Sequence, residues 1–218
     1  MKIRTLYKNI LIFTFLLLII TACSTNNGFL KVSLKEVEVP ENIKNRFGQS
    51  KIINFVKEDT LNYSFENDMI KVNWIPLQKQ ILFSLKNKTK HSLKIIWDQA
   101  VFVDINGLSH RLIHSSINFN NRNNPQPPTV VVKNSRVNEA IIPVNNVRFV
   151  NSYWVKSNLI KVNRKSNSEK ILDNYIGKTI KILLPLEIQD TINEYIFTFE
   201  IYDFTIPDNR EKDDNRKI

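Results

Sequence analysis

Seven stretches of this chain alternate apolar and polar residues with a period of two: Leu61, Tyr63, Phe65; Ile70, Val72, Trp74; Ile81, Phe83, Leu85; Leu93, Ile95, Trp97; Val101, Val103, Ile105; Ile180, Ile182, Leu184, Leu186; and Tyr195, Phe197, Phe199, Ile201. Successive side chains of a strand point to opposite faces, so each stretch reads as a strand with one face to bury. Many short strands without long helices between them find burial by packing two antiparallel sheets face to face. The expected fold is an all-β antiparallel sandwich with one short helix. For the helix, Ser166 and Glu169 have capping-box spacing, Ile171, Leu172 and Tyr175 give an apolar side, and Gly177 supplies a stop. The chain has 4 glycines, so asparagines are expected in many turns.

Two local pairings follow from turn chemistry. Asn106-Gly107 supplies the two positive-φ positions of a type I′ turn, which pairs Ile105 with Leu108, Asp104 with Ser109 and Val103 with His110. Residues 80–97, with Asn87-Lys88-Thr89-Lys90 as the turn, read as a hairpin. That segment resembles the hairpins of immunoglobulin-like envelope lipoprotein domains, a resemblance that implies an immunoglobulin-like sandwich and no particular activity.

The beginning of the chain has a different character. Lys2, Arg4 and Lys8 form a cationic head without acids, and residues 10–20 are almost entirely Ile, Leu and Phe. Such a run has the length of a signal-peptide core and falls short of the roughly 20 apolar residues of a spanning helix. Behind it stands Ile20-Thr21-Ala22-Cys23, which resembles the lipobox of bacterial lipoproteins. The resemblance implies cleavage between Ala22 and Cys23, a diacylglycerol on the Cys23 thiol, and a fatty acyl group such as palmitate on the new amino terminus. Two or three acyl chains, at about 0.8 kcal/mol per buried methylene, amount to a permanent membrane anchor. In enterobacterial lipoproteins an aspartate after the cysteine signals inner-membrane retention. Ser24 there implies the outer membrane, facing the periplasm, where a cell has two.

The organisation expected from these features is a signal peptide over 1–22, a lipidated start and short linker over 23–29, a sandwich over 30–206 and a charged tail over 207–218. The linker extends to about 20–25 Å at most, which keeps the domain near its membrane. Cys23 is the only cysteine, so the domain must be held by its core without disulfides. Removal of 1–22 leaves 28 basic and 21 acidic residues, a formal charge of +7. Positive charge favours anionic lipid heads or wall polymers. An A/T-rich genome, with Lys, Asn and Ile abundant throughout, accounts for it without a polyanion. Export makes nucleic acid an unsuitable partner.

Candidate sites are few. His110 and His114 are four apart, which on a strand separates them by about 13 Å, too far for one zinc ion. Asp98, Asp104, Glu187 and Glu194 fall near strand ends without any tie between two of them. The sequence has no Gly-x-Ser-x-Gly elbow, phosphate loop or His-Glu-x-x-His motif. The expectation is therefore a non-enzymatic protein without a cofactor. Trp74 and Trp97 are in phase with apolar rows and read as core, whereas Trp154, beside Tyr153, is open to a binding role. Residues 118–128 form a polar, proline-rich loop in which Phe119 can anchor and Arg122 can orient a partner. Together these features make the chain a lipid-anchored envelope protein that holds an envelope protein or a wall polymer. The alternative is a periplasmic glycan-binding or glycan-cleaving domain that uses Trp154.

Replacing Cys23 with alanine is expected to abolish lipid attachment and leave an uncleaved precursor. Metabolic labelling with a fatty-acid probe checks this, and label on the mutant at the mature mass would refute the lipobox assignment.

Overall fold

The aromatic rows found in the sequence meet across one interior. The computed structural model describes residues 29–39, 51–57, 60–162 and 168–205, and Phe29–Phe204 forms one compact unit. The signal peptide, Ala22, Cys23 and Ser166 lie outside the described residues, as does the expected tail.

Strands β3 (Thr60–Glu66), β4 (Ile70–Pro76) and β5 (Ile81–Asn87) form an antiparallel meander, with Tyr63 opposite Trp74, Phe65 opposite Val72 and Trp74 opposite Phe83. β2 (Lys51–Lys57) extends it on one side and β10 (Arg136–Pro143) on the other. The facing layer is built on β13 (Thr179–Ile188) and β14 (Thr191–Thr205), which pair Ile180 with Phe199, Ile182 with Phe197 and Leu184 with Tyr195. β1 (Phe29–Glu38) flanks β14, and the short strands β6 (Leu93–Ile95), β7 (Val101–Val103) and β9 (Thr129–Val131) complete the layer beside β13. Paired residues share a face, so the registers of β3, β4, β5, β13 and β14 turn the large apolar side chains of their rows inward.

Between the layers, Trp74 meets Phe197 at 4.8 Å and Phe199 at 5.9 Å, and Phe65 meets Phe197 at 5.7 Å. Their edge-on geometry suits the ring quadrupoles, and each ring contributes about 1.5–3 kcal/mol by leaving water. The fold is thus the all-β antiparallel sandwich expected from the alternation, and among the described residues one α-helix, α1 (Ser168–Tyr175), accompanies it. Gly177 ends α1 at φ +79 and donates its amide to the Ile201 carbonyl, which ties the helix end to β14.

β8 (Ser109–His114) belongs to both layers. Its first half pairs with β7, Val101 with Arg111 and Val103 with Ser109, and its second half pairs with β10, Pro143 with Leu112 and Ile141 with His114. A strand that changes sheet makes a corner of the sandwich. At the opposite side β1 approaches β2 and β3, so the sheet nearly closes on itself.

Three local expectations are corrected. The 80–97 hairpin does not form: β5 pairs with β4 and β10, whereas β6 pairs with β13 and β9, so residues 88–92 cross between layers. The cause is Asn87, fully buried, whose side-chain amide donates to the His91 and Val131 carbonyls while its oxygen accepts from Thr89 Nα and Oγ1. The β7–β8 turn is one residue longer than expected, which pairs Phe102 with His110. Asp104 Oδ1 accepts from the amides of Asn106 and Leu108, the Gly107 amide donates to the Asp104 carbonyl, and only Gly107 of the pair has positive φ, +80. This is a type I turn followed by a left-handed glycine, not a type I′ turn. Finally, Phe102 takes the buried position in β7, and Val101, Val103 and Ile105 are only partly covered.

Asn87→Ala strands the buried Val131 carbonyl, removes the acceptor that holds Thr89 and releases the crossing segment. It is expected to lower unfolding free energy by about 2–3 kcal/mol. Urea denaturation measures this, and a midpoint equal to wild type would show that the crossing does not depend on Asn87.

Candidate functional site

At the β8 corner a buried polar group replaces part of the apolar core. Glu139 of β10 stands on the inward row between Val137 and Ile141, directly opposite Phe83. It is 8% exposed, and it accepts a hydrogen bond from Ser115 Oγ. His114 of β8 is 4% exposed, stacks on Trp97 at 4.3 Å and 5° between planes, and holds Nδ1 3.5 Å from Glu139 Oε2. No hydrogen bond spans that separation, and both ring nitrogens lack a hydrogen-bond partner. Trp97 in turn donates Nε1 to Thr129 Oγ1 at 2.8 Å. Burial raises the Glu139 pKa, and the adjoining His114 imidazole and the Ser115 hydroxyl more than offset it, so the net shift is downward.

Outside this group lies a cleft of about 420 Å³ lined by His114, Ser115, Ile117, Phe119, Ile142 and Trp154, with Gln80 and Lys156 at its side. Its far wall is a separate two-stranded ribbon of β11 (Val147–Val150) and β12 (Tyr153–Lys156). Asn151 and Ser152, at φ 47 and 69, make the two-residue turn between them. Val147 anchors the ribbon by packing with Ile113 and Ile142 in a small second core. Asn146 secures its base, its side-chain amide donating to the Asn158 carbonyl at 2.6 Å and its carbonyl accepting from the Ser157 amide at 2.8 Å.

The three candidate binding residues of the sequence converge here. Phe119 meets Trp154 edge-on at 5.8 Å, and the Arg122 guanidinium lies over the Trp154 ring at 4.7 Å. Lys156 stands over Phe119 at 5.7 Å and donates to Gln80 Oε1 at 2.6 Å. A short 3-10 turn, Phe119–Asn121, presents Phe119, and the Asn118 side chain caps it by accepting from the Asn120 amide.

The rest of the 118–128 loop is firmly held. Gln126 is buried, donates Nε2 to the Leu112 carbonyl at 2.7 Å and accepts from the His114 amide at 3.4 Å, occupying the edge of β8 as a strand would. Asp98 accepts from the Gln126 amide and from Arg111, and Arg111 also donates to the Asn123 and Asn124 carbonyls. The loop is therefore folded back on the corner rather than extended.

The other candidates are dispersed. His110 points its Nε2 at Asp104 Oδ2, 3.0 Å away, and its Nδ1 at the Asn145 side chain, also 3.0 Å, which joins the β7–β8 turn to the approach of β11. Asp98 pairs with Arg111 and Glu187 with Lys94. Trp74 and Trp97 are fully buried, as their phase implied. Sequence reasoning missed Glu139, although an acid on an apolar row between Val137 and Ile141 was a legible signal. Gln126 and Arg111 left no such trace, because most of their partners are backbone groups 12 to 14 residues away. Comparison of the chain with family models, with curated proteins and with solved structures finds no match in any of the three.

Because the folded pKa of Glu139 lies below its unfolded value, its ionised form stabilises the fold above that unfolded value. The contribution is lost as pH falls through the folded pKa. Glu139→Gln is expected to flatten the acid side of a melting-temperature profile between pH 7 and pH 3, and parallel profiles for the two proteins would show that another carboxylate governs acid unfolding.

Proposed function

We propose that the chain is a lipid-anchored cell-envelope protein with a non-enzymatic binding role, and that the Phe119–Trp154 cleft receives its neighbour in the envelope. The observation that carries this reading is the convergence of Phe119, Arg122 and Trp154 around one cleft from positions 119 to 154 of the chain. Large rings backed by cations are the composition of anchoring positions in protein interfaces. The lipobox and its short linker support the location.

Two features weigh against the glycan alternative. Sugar stacking needs a free ring face, and Arg122 covers one face of Trp154 while Phe149 and Phe119 crowd the ring at 5.2 and 5.8 Å. Glycoside cleavage in its usual form needs two carboxyl groups about 5–9.5 Å apart. Glu139 is the only acid between Asp104 and Glu169 in the sequence, and its carboxylate is engaged by Ser115. Ser115 Oγ donates to that carboxylate and not to His114, so the three groups do not form a serine–histidine–acid relay.

Cross-linking the intact protein in its own membranes, followed by affinity isolation, identifies the neighbour. Phe119→Ala with Arg122→Ala is expected to lower stability by about 1–2 kcal/mol, since Phe119 is half-buried, and to remove the cross-linked species. Recovery of the same species at wild-type yield would place recognition elsewhere.

A further inference from the structure

The β11–β12 ribbon carries apolar side chains on both faces. Phe149 and Trp154 are opposite each other on the cleft side, and Val150 and Tyr153 are opposite each other on the reverse side. Phe149 is 60% exposed, Tyr153 59% and Val150 40%. A two-stranded ribbon gains little from burial in water, and one with rings on both faces cannot cover them against a single flat partner. Immersion of the tip in a soft, half-polar medium covers both at once.

Charge specifies the medium. From residue 105 to residue 168 the sequence has nine Lys and Arg and a single acid, Glu139, which is buried. Arg148 lies on the ribbon itself, and Arg122 and Lys156 stand at its base against Trp154 and Phe119. Tyr and Trp favour the headgroup level of a bilayer, and nearby basic side chains are drawn to an anionic surface.

We propose that the tip of this ribbon, Phe149, Val150 and Tyr153, enters the headgroup region of an anionic bilayer, with Arg148, Arg122 and Lys156 meeting lipid phosphates. The inference deepens the proposed function and rests on its reading of the chain as membrane-anchored. The ribbon then adds a second attachment, which fixes the orientation of the adjoining cleft at the membrane surface. The occupant is the lipid phosphate surface rather than an acidic protein, because exposure on two faces suits immersion and not docking.

The test uses the processed protein isolated from membranes and reconstituted with vesicles of phosphatidylglycerol or of phosphatidylcholine, each brominated on the acyl chains near the headgroup. Trp74 and Trp97 are fully buried, so the emission accessible to bromine is that of Trp154. In phosphatidylglycerol the expected result is loss of the emission that separates wild type from Trp154→Phe. The loss should be smaller in phosphatidylcholine, reversed in part by 1 M salt, and abolished by Phe149→Ser with Tyr153→Ser, an exposed pair whose replacement leaves the core intact. Flotation of the same vesicles separates the two ideas. Co-flotation with both lipids but no quenching overturns the ribbon contact and leaves the anchor standing, whereas flotation and quenching with phosphatidylglycerol alone support the ribbon and overturn the anchor. Flotation with neither overturns both. Protection of Tyr153 and Trp154 by polyglutamate without quenching by lipid assigns the ribbon to an acidic polypeptide and overturns the proposal.

Discussion

Strand β8 has to satisfy its backbone in two sheets at once, and the arrangement of the whole β8 corner follows from how it does so. Its first three residues find partners on β7 and its last three on β10, leaving the edge opposite β10 open just where the strand turns inward. A buried unpaired backbone group costs about 1–3 kcal/mol. Gln126 removes that cost by bonding Leu112 and His114 with one side-chain amide, and Arg111 holds the loop that delivers it. The loop over residues 118–128 is thus a structural element of the corner before it is a surface for anything else.

The same corner explains the buried polar group. A strand leaving one sheet for the other opens a gap in the inward rows, and here His114 and Glu139 occupy positions that Ile or Val hold elsewhere. Stacking on Trp97 covers one face of the imidazole, and Ser115 satisfies one carboxylate oxygen. A buried polar pair of this kind adds little net stability, since desolvation offsets much of its attraction. It also gives the cleft a polar floor beneath aromatic walls, with the ribbon of β11 and β12 standing beyond the main sheet.

How far the sequence was legible depends on the range of the interaction concerned. The rows Ile180 to Leu186 and Tyr195 to Ile201 point inward as their alternation required, and Trp74 and Trp97 are core. The 80–97 segment failed as a hairpin because Asn87 is a better ligand for backbone 44 residues away, at Val131, than its neighbours are for each other. The β7–β8 turn failed by one residue because Asp104 captured two amides and stabilised a longer loop than Asn106-Gly107 alone requires.

The sequence by itself determined the all-β class, six of the seven inward rows, the glycine end of the helix and the short list Phe119, Arg122 and Trp154. These rest on side-chain period and backbone preference, which are local properties of the chain. Only the tertiary structure decided that residues 88–92 cross between sheets, that β8 serves both layers, and that Phe119 and Trp154 share one cleft. Those outcomes depend on which strand edges pair across long separations, and pairing is chosen by the packing of the whole interior rather than by any segment in it.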